Sequence, residues 1–127
     1  MTRVFDSSAV LAAIFDEPGG DRVAELWADG ENLLSTVNYS EVIAKLAEHG
    51  MPDDDVRIVM EGVPLKLAQF DQETAHAAGL LRRATKSLGL SLGDRACMAL
   101  AQIRNLQAVT ADRAWKKHTG IDVLVIR

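Results

Sequence analysis

The stretch Arg3-Val4-Phe5-Asp6-Ser7-Ser8-Ala9-Val10-Leu11 decides how the rest of the chain is interpreted. Its Val4-Phe5 pair favours a β-strand, whereas Ser7-Ser8 offers good helix caps just before an apolar run. The sequence therefore predicts a short buried strand that stops at Asp6 and a helix that begins just after it. Ligands of open α/β sheets bind at this carboxyl edge of the strands. Taken alone, Asp6 could equally well be only a helix cap.

Short apolar strands alternate with helices along the rest of the chain. Further strands are predicted at 33–35, 65–70, 108–110 and 123–126, and helices at 21–29, 37–48, from 52 onward, 71–86, 94–104 and 112–117. We expect Thr36, Pro52 and Asp71 to begin three of these helices, with Pro52 at the first helical position. This alternation is typical of a three-layer α/β fold, a mostly parallel sheet of about five strands with helices on both faces.

Length and composition favour one globular domain over residues 1–127. A chain of 127 residues fits one domain, and 48% hydrophobic with 25% charged residues is typical of a folded protein. The longest apolar run, 9–15, is too short to span a bilayer. We therefore expect a cytoplasmic protein without a membrane partner.

The scarce cysteine and histidine residues exclude several kinds of site. A single cysteine, Cys97, allows neither a disulfide within the chain nor a cysteine-based metal centre. The three histidines, His49, His76 and His118, form no His-x-x-x-His pair, which argues against a zinc hydrolase. The net charge of −4 also counts against a nucleic-acid partner, unless bound cations neutralise some carboxylates.

Four acidic residues occupy corresponding places in the predicted fold. Asp6 and Asp112 follow strands, and Glu41 and Asp94 lie near the starts of helices. Helices that follow parallel strands, or that lead into the next one, begin at the carboxyl edge of the sheet. We therefore expect all four carboxylates to project toward one edge.

Each of these acids also has a simpler explanation. Glu41 could form an exposed i,i+4 pair with Lys45. Asp94 could complete a capping box with Ser91, and Asp112 could cap the short helix after it. We favour a shared function because four independent coincidences at one edge are less probable than any single one. The triple acid at 53–55 is instead interpreted as favourable charge at a helix N-terminus.

Four carboxylates in one pocket require a counter-ion. Two unit charges about 4 Å apart repel by roughly 4 kcal/mol at an effective dielectric constant near 20. Oxygen ligands alone favour hard divalent ions, Mg²⁺ or Mn²⁺. Such ions activate water and stabilise charge on a phosphate. The sequence therefore predicts metal-assisted phosphodiester hydrolysis.

The segments that carry these acids resemble the four acidic motifs of PIN domains, and more narrowly those of VapC toxins of bacterial toxin–antitoxin pairs. They are Val4-Phe5-Asp6-Ser7-Ser8, Asn38-Tyr39-Ser40-Glu41, Leu90-Ser91-Leu92-Gly93-Asp94-Arg95-Ala96 and Val109-Thr110-Ala111-Asp112-Arg113-Ala114-Trp115. The resemblance covers nearly the whole chain. It implies a PIN fold, Mg²⁺- or Mn²⁺-dependent cleavage of RNA, and a cognate VapB-like antitoxin. It places Asp6, Glu41, Asp94 and Asp112 at the metal site and Ser8 and Thr110 where hydroxyls support it.

Basic and apolar residues suggest where partners bind. Arg95 and Arg113 each follow a site acid, and with Lys116 and Lys117 they are candidates for contacts to RNA phosphates. The basic strip Arg82, Arg83 and Lys86 is interpreted as plain surface. Two apolar stripes are candidates for a homodimer or antitoxin surface, although core packing is their default interpretation; they comprise Val56, Val59, Met60 and Val63, and Val23, Leu26 and Trp27.

Two other classes of protein remain open at this point. A receiver-like signalling module would share the α/β order and would use Asp71 and Thr110, but it would need a second acid beside Asp6, where Ser7 follows. A pure interaction protein could use the acidic edge to bind a basic peptide. A chelator separates both from the nuclease, because it would abolish only metal-dependent cleavage.

Overall fold

A single parallel sheet organises the computed structural model, which describes residues 1–118 and 120–127. Within these residues the sheet has five strands in the order β3-β2-β1-β4-β5, and every neighbouring pair is parallel. The strands are β1 (Thr2–Phe5), β2 (Glu31–Ser35), β3 (Lys66–Ala68), β4 (Gln107–Thr110) and β5 (Val123–Val125). The predicted parallel sheet of about five strands is confirmed.

Helices connect the strands, as parallel pairing requires. They are α1 (Ser7–Ile14), α2 (Gly20–Ala28), α3 (Thr36–Glu48), α4 (Asp53–Gly62), α5 (Gln72–Thr85) and α6 (Leu92–Arg104), with two short 3₁₀ helices at Lys86–Leu88 and Arg113–Lys117. No helix in the described parts of the chain is long and apolar enough to cross a membrane.

Alternating strand residues build a separate core on each face of the sheet. Val4 and Leu33 pack with α5 and α6, whereas Phe5 and Leu34 pack with α1 to α4. Because successive residues of a strand point to opposite faces, a strand that is buried on both sides is apolar throughout. The predicted three-layer arrangement, with helices on both faces, is therefore confirmed.

The two apolar stripes considered as docking surfaces belong mainly to the core. Val23, Val56 and Met60 are buried in the core beneath α1 to α4. The remaining members are partly buried against that same core; they are Leu26, Trp27, Val59 and Val63. Packing thus explains these stripes, and the suggestion that they form a partner surface was wrong for the buried positions.

Several predicted helix starts are shifted by one or two residues at the cap. Asp6 caps α1 in place of Ser7 or Ser8, and Ser35 caps α3 in place of Thr36. Pro52 is the cap residue of α4 and not its first helical residue. Asp71 caps α5 as predicted.

Two further elements differ from the prediction in length. Helix α6 begins at Leu92, two residues before Asp94, because Ser91 accepts a hydrogen bond from the Asp94 amide. Strand β3 covers only Lys66–Ala68 of the predicted 65–70. It lies at the edge of the sheet and pairs on one side, so Leu67 remains exposed despite the apolar pattern.

The strand order creates a switch point between β1 and β4. The chain runs outward from β1 through β2 to β3 and then returns to place β4 on the other side of β1. Crossovers on the two sides therefore diverge, and a crevice opens beyond the carboxyl ends of β1 and β4. Asp6 follows β1 and Asp112 closely follows β4, so both predicted site residues lie at this crevice.

Candidate active site

A cavity of about 420 Å³ lies at the switch point and receives all four predicted carboxylates. They come from four separate segments: the end of β1, the first half of α3, the first turn of α6, and the residue before the second 3₁₀ helix. The lining residues are Asp6, Ser7, Ser8, Leu11, Glu41, Ala44, Lys45, Glu48, Asp94 and Asp112. A cavity of similar volume lies at the opposite edge of the sheet, and among the described residues that line it Asp122 is the single carboxylate.

Asp6 is the most deeply buried of the four acids, with 3% of its surface exposed. Its carboxylate accepts hydrogen bonds from the Ala9 amide at 2.9 Å, from Ser8 Oγ at 2.8 Å and from Thr110 Oγ1 at 2.7 Å. The pKa of Asp6 is raised to about 6, chiefly by burial and further by the charge of Asp94, and these hydrogen bonds act in the opposite direction. Ser8 and Thr110 thus contact the acid that they are predicted to support.

Glu41 points into the cavity from α3. Its Oε1 accepts hydrogen bonds from Ser7 Oγ and from Asn38 Nδ2, the latter at 2.9 Å. Lys45 instead forms an exposed pair with Glu48, with Nζ and Oε2 3.4 Å apart. The simpler explanation of Glu41 as the partner of Lys45 is therefore wrong.

Asp94 serves as a cap and lies in the cluster at the same time. Its Oδ2 accepts from the Ser91 amide at 2.8 Å, and its own amide donates to Ser91 Oγ at 3.2 Å, which completes the capping box. Partial burial raises the pKa of Asp94, the Ser91 hydrogen bonds lower it, and the charges of Asp112 and Glu41 raise it. Capping and clustering are therefore compatible roles for this residue.

Asp112 closes the cavity after β4. Its Oδ1 accepts from the Ala114 amide at 2.9 Å and so caps the second 3₁₀ helix. Its amide donates to Thr110 Oγ1 at 3.1 Å, and the same hydroxyl donates to Asp6. Thr110 therefore connects the backbone at Asp112 with the buried carboxylate of Asp6.

A model of the PIN domain matches residues 3–121, nearly the whole chain. The chain belongs to the PIN-domain family. The match includes all four segments that carry the cavity acids, and the fold expected from the resemblance is confirmed.

Solved structures share the fold of this PIN domain. A toxin-antitoxin complex from Klebsiella pneumoniae matches with a TM-score of 0.78 at 19% identity, covering 98% of both chains. The VapBC2 complex from Rickettsia felis, bound to a DNA fragment from the promoter of VapBC2, matches with a TM-score of 0.78 at 15% identity over 100% of both chains. DNA-bound VapBC from Salmonella typhimurium matches with a TM-score of 0.77 at 17% identity, covering 100% of this chain and 99% of that one. No curated protein sequence matches the chain.

The four acids of this PIN domain offer the oxygen ligands that a hard divalent cation prefers. Burial with mutual repulsion raises the pKa of both Asp6 and Asp94. Within residues 1–118 and 120–127, no group of three Asp, Glu, His or Cys side chains is arranged so that it could hold an ion. Each of the four carboxylates also accepts a hydrogen bond from a nearby donor. The four carboxylates therefore share one cavity without converging on a single point.

The four basic residues proposed for RNA binding differ in how accessible they are. Arg95 donates from Nη1 to the Ala78 carbonyl at 3.0 Å, so its guanidinium joins α6 to α5. Arg113 is exposed and donates from Nε to the Arg127 carbonyl at 3.1 Å. Lys116 and Lys117 are exposed beside the cavity-lining Asp112 in sequence. Arg113, Lys116 and Lys117 are therefore the exposed members of this group, whereas Arg95 is partly buried.

Ser7 and Asn38 are site residues that sequence analysis missed. The sequence assigns Ser7 only a capping role and Asn38 only a place in the segment that carries Glu41, yet both donate to Glu41. The available signal was the spacing of Asn38 three residues before Glu41, which places them on one helix face. The contact between Ser7 and Glu41 joins α1 to α3 and has no counterpart in local sequence.

The residue that a receiver-like module would use lies outside this cavity. Asp71 caps α5 and accepts from the Thr74 amide at 2.9 Å and from Thr74 Oγ1 at 2.7 Å. These hydrogen bonds hold the pKa of Asp71 below its ordinary value. Because Asp71 is absent from the described lining of the cavity, the receiver interpretation loses its acidic centre.

Proposed function

We propose that this PIN domain is a Mg²⁺- or Mn²⁺-dependent endoribonuclease. The observation that carries the proposal is the arrival of Asp6, Glu41, Asp94 and Asp112 at one cavity from four separate segments. Asp6 and Asp94 would hold the ion, and Glu41 and Asp112 would complete its oxygen ligands. The bound ion would lower the pKa of an attacking water and stabilise negative charge on the phosphate.

The chain's own side chains prepare this site in two ways. Ser8 and Thr110 hydrogen-bond both oxygens of the Asp6 carboxylate and so limit its rotation. Arg113, Lys116 and Lys117 are proposed to contact the phosphates beside the cut, because two of them are exposed lysines and all follow Asp112 closely. Arg95 is less available for such a phosphate contact, because its guanidinium donates to the Ala78 carbonyl.

Cleavage of RNA with and without metal tests the enzyme. Metal-stripped protein should be inactive, added Mn²⁺ or Mg²⁺ should restore cleavage, and EDTA should remove it again. Asp6→Asn should abolish the restored activity, while Asp71→Asn is the matched control because Asp71 caps a helix outside the cavity. Undiminished RNA cleavage by the metal-stripped protein would contradict the proposed metal dependence. Mn²⁺ binding without any cleavage would favour the interaction module instead.

We infer that the protein is the toxin of a toxin–antitoxin pair and binds a VapB-like antitoxin. Support comes from membership of the PIN-domain family and from the shared fold with chains of VapBC complexes. The cavity also combines acids with the apolar side chains of Leu11 and Ala44. A small partner with an apolar helix and an arginine would match it, because the guanidinium can pair with the carboxylates.

Co-expression with the neighbouring gene tests this partner. The two proteins should co-purify, and the toxicity of this chain alone should disappear when both are produced. Separate elution together with unchanged toxicity would contradict the antitoxin. A homodimer of this chain stays a prediction of the sequence analysis; sedimentation of the purified chain without its partner tests it, and a monomer at all concentrations would contradict it.

A further inference from the structure

Asn38 lies where α1, α3 and α6 meet. It is 1% exposed, and its Nδ2 lies within hydrogen-bonding distance of three acceptors. These are Glu41 Oε1 at 2.9 Å, the Gly93 carbonyl at 3.0 Å and Ser7 Oγ at 3.2 Å. A single amide group therefore connects one cavity acid to the two neighbouring helices.

The surroundings of Glu41 restrict its carboxylate on two further sides. Ser7 Oγ donates to the same Oε1 that accepts from Asn38. At Gly93, a side-chain Cβ would overlap both carboxylate oxygens of Glu41. The carboxylate is thus pressed against the start of α6, close to the charge of Asp94, and repulsion between the two acids favours its withdrawal.

We propose that Asn38, assisted by Ser7, is a positioning residue that keeps Glu41 at the metal site. This inference rests on the proposed metal-dependent function. Glu41 has a long, flexible side chain, and the two donors at Oε1 oppose its repulsion from the neighbouring acids. Mutation of outer partners that orient metal ligands in this way typically weakens metal affinity about 10–100-fold.

The alternative is that Asn38 only stabilises the fold, and Asn32 provides a matched control for it. Asn32 is 4% exposed and donates from Nδ2 to the carbonyls of Trp27 and Pro64 at 3.0 and 3.1 Å. In the part of the chain that the structure describes, Oδ1 of both asparagines is buried without a hydrogen-bond partner. Asn32 lies in β2 and does not line the cavity.

The experiment compares Asn38→Ala, Ser7→Ala and Asn32→Ala with the wild type. Melting curves in EDTA report the structural loss, and calorimetric titration with Mn²⁺ reports ion affinity without reference to activity. We expect both asparagine variants to melt lower in EDTA. Asn38→Ala and Ser7→Ala should bind Mn²⁺ about 10–100-fold more weakly, whereas Asn32→Ala should keep the wild-type affinity. Ser7→Ala removes a partly exposed hydroxyl, so it provides the comparison if Asn38→Ala does not fold.

A Glu41→Gln background identifies the route of the effect. If Asn38 acts through Glu41, Asn38→Ala should weaken Mn²⁺ binding little further once Glu41 is neutral. Wild-type affinity in Asn38→Ala or in Ser7→Ala, or an equal loss in Asn32→Ala, would overturn the inference and leave the proposed function intact. Absence of Mn²⁺ binding by the wild type would overturn the proposed function, and the metal role of Asn38 with it.

Discussion

Asp6 shows how one side chain can be both a structural cap and a member of a charged site. Its Oδ1 accepts from the Ala9 amide and caps α1, while Oδ2 accepts from Thr110 on β4. Asp94 repeats this combination in the capping box of α6. The two roles coincide because a helix N-terminus at the sheet edge both needs an acceptor and points it toward the cavity.

Asp94→Asn separates the two roles of Asp94. Asparagine can still accept from the Ser91 amide, and the substitution removes one charge from a repelling cluster. We therefore expect unchanged or higher thermal stability in EDTA, a smaller stabilisation by Mn²⁺, and near-complete loss of RNA cleavage. Asp71→Asn is the control, because the pKa of Asp71 is lowered and its charged form is favoured by folding. That variant should melt lower and keep the full Mn²⁺ effect.

A result in which Asp94→Asn melts lower in EDTA, keeps the Mn²⁺ stabilisation and still cuts RNA would identify Asp94 as a cap alone. The helix-terminal contribution that would then be lost is typically ~0.5–2 kcal/mol.

Asp6 also predicts how metal-free stability changes with pH. Its pKa is raised from 3.8 to about 6, so the folded state holds the proton more tightly than the unfolded state does. The resulting stabilisation of the folded state is complete below the pKa that Asp6 has in the unfolded chain. It is lost as the pH rises through the pKa that Asp6 has in the folded protein. It should amount to roughly 3 kcal/mol, since one pKa unit corresponds to about 1.4 kcal/mol.

The measurement is chemical unfolding of metal-stripped wild type and Asp6→Asn from about pH 4 to about pH 7. The stability of the wild type relative to the variant should fall across this range, because only the wild type loses the Asp6 proton. A difference that is constant with pH would show that Asp6 has an ordinary pKa in the folded protein.

Among the secondary-structure elements, the N-terminal turn of α6 is the one most closely fitted to the site. It presents Asp94 to the cavity, and its Gly93 leaves the space occupied by the Glu41 carboxylate. Glycine destabilises a helix interior relative to alanine by roughly 0.5–1 kcal/mol. Close approach of an acidic side chain from α3 explains why glycine is nevertheless suitable here.

Gly93→Ala and Gly79→Ala form a matched pair. A Cβ at Gly93 overlaps the Glu41 oxygens, so Glu41 must move and Mn²⁺ affinity and cleavage should fall. A Cβ at Gly79, within α5, meets no atom within 4 Å. Gly79→Ala should therefore raise the free energy of unfolding by about 0.5–1 kcal/mol and leave Mn²⁺ binding unchanged. Equal Mn²⁺ affinity in the two variants would show that Glu41 can relocate without loss.

At the scale of the whole molecule, the acidic cavity and an overall charge of −4 oppose the approach of RNA. Exposed cations near the cavity would offset this repulsion locally, because phosphate contacts dominate nucleic-acid affinity. Lys116 and Lys117 follow the cavity acid Asp112, whereas Arg82 and Arg83 lie exposed on α5. The two pairs have equal charge and different positions.

Lys116→Gln/Lys117→Gln is therefore compared with Arg82→Gln/Arg83→Gln. The lysine variant should show a higher KM for RNA, little change in kcat, and a shallower dependence of KM on salt, because it has lost phosphate contacts. The arginine variant should match the wild type in all three measurements. An equal effect of both variants would indicate that net charge, and not local contact, governs binding of RNA.

Periodicity and local chemistry in the sequence were sufficient for the parallel sheet and for the four carboxylates at one edge. Strands buried on both faces are apolar throughout, and residues at strand ends must lie at the sheet edge whatever the details of packing. Only the tertiary structure decided that β4 returns beside β1, that Ser7 and Asn38 hold Glu41, and that Arg95 is bound to Ala78. These features depend on contacts between residues far apart in the chain, and local pattern does not encode which distant donor meets which acceptor. The starts of α1 and α3 differed for a related reason, since each is capped by a residue at or just after the end of the preceding strand.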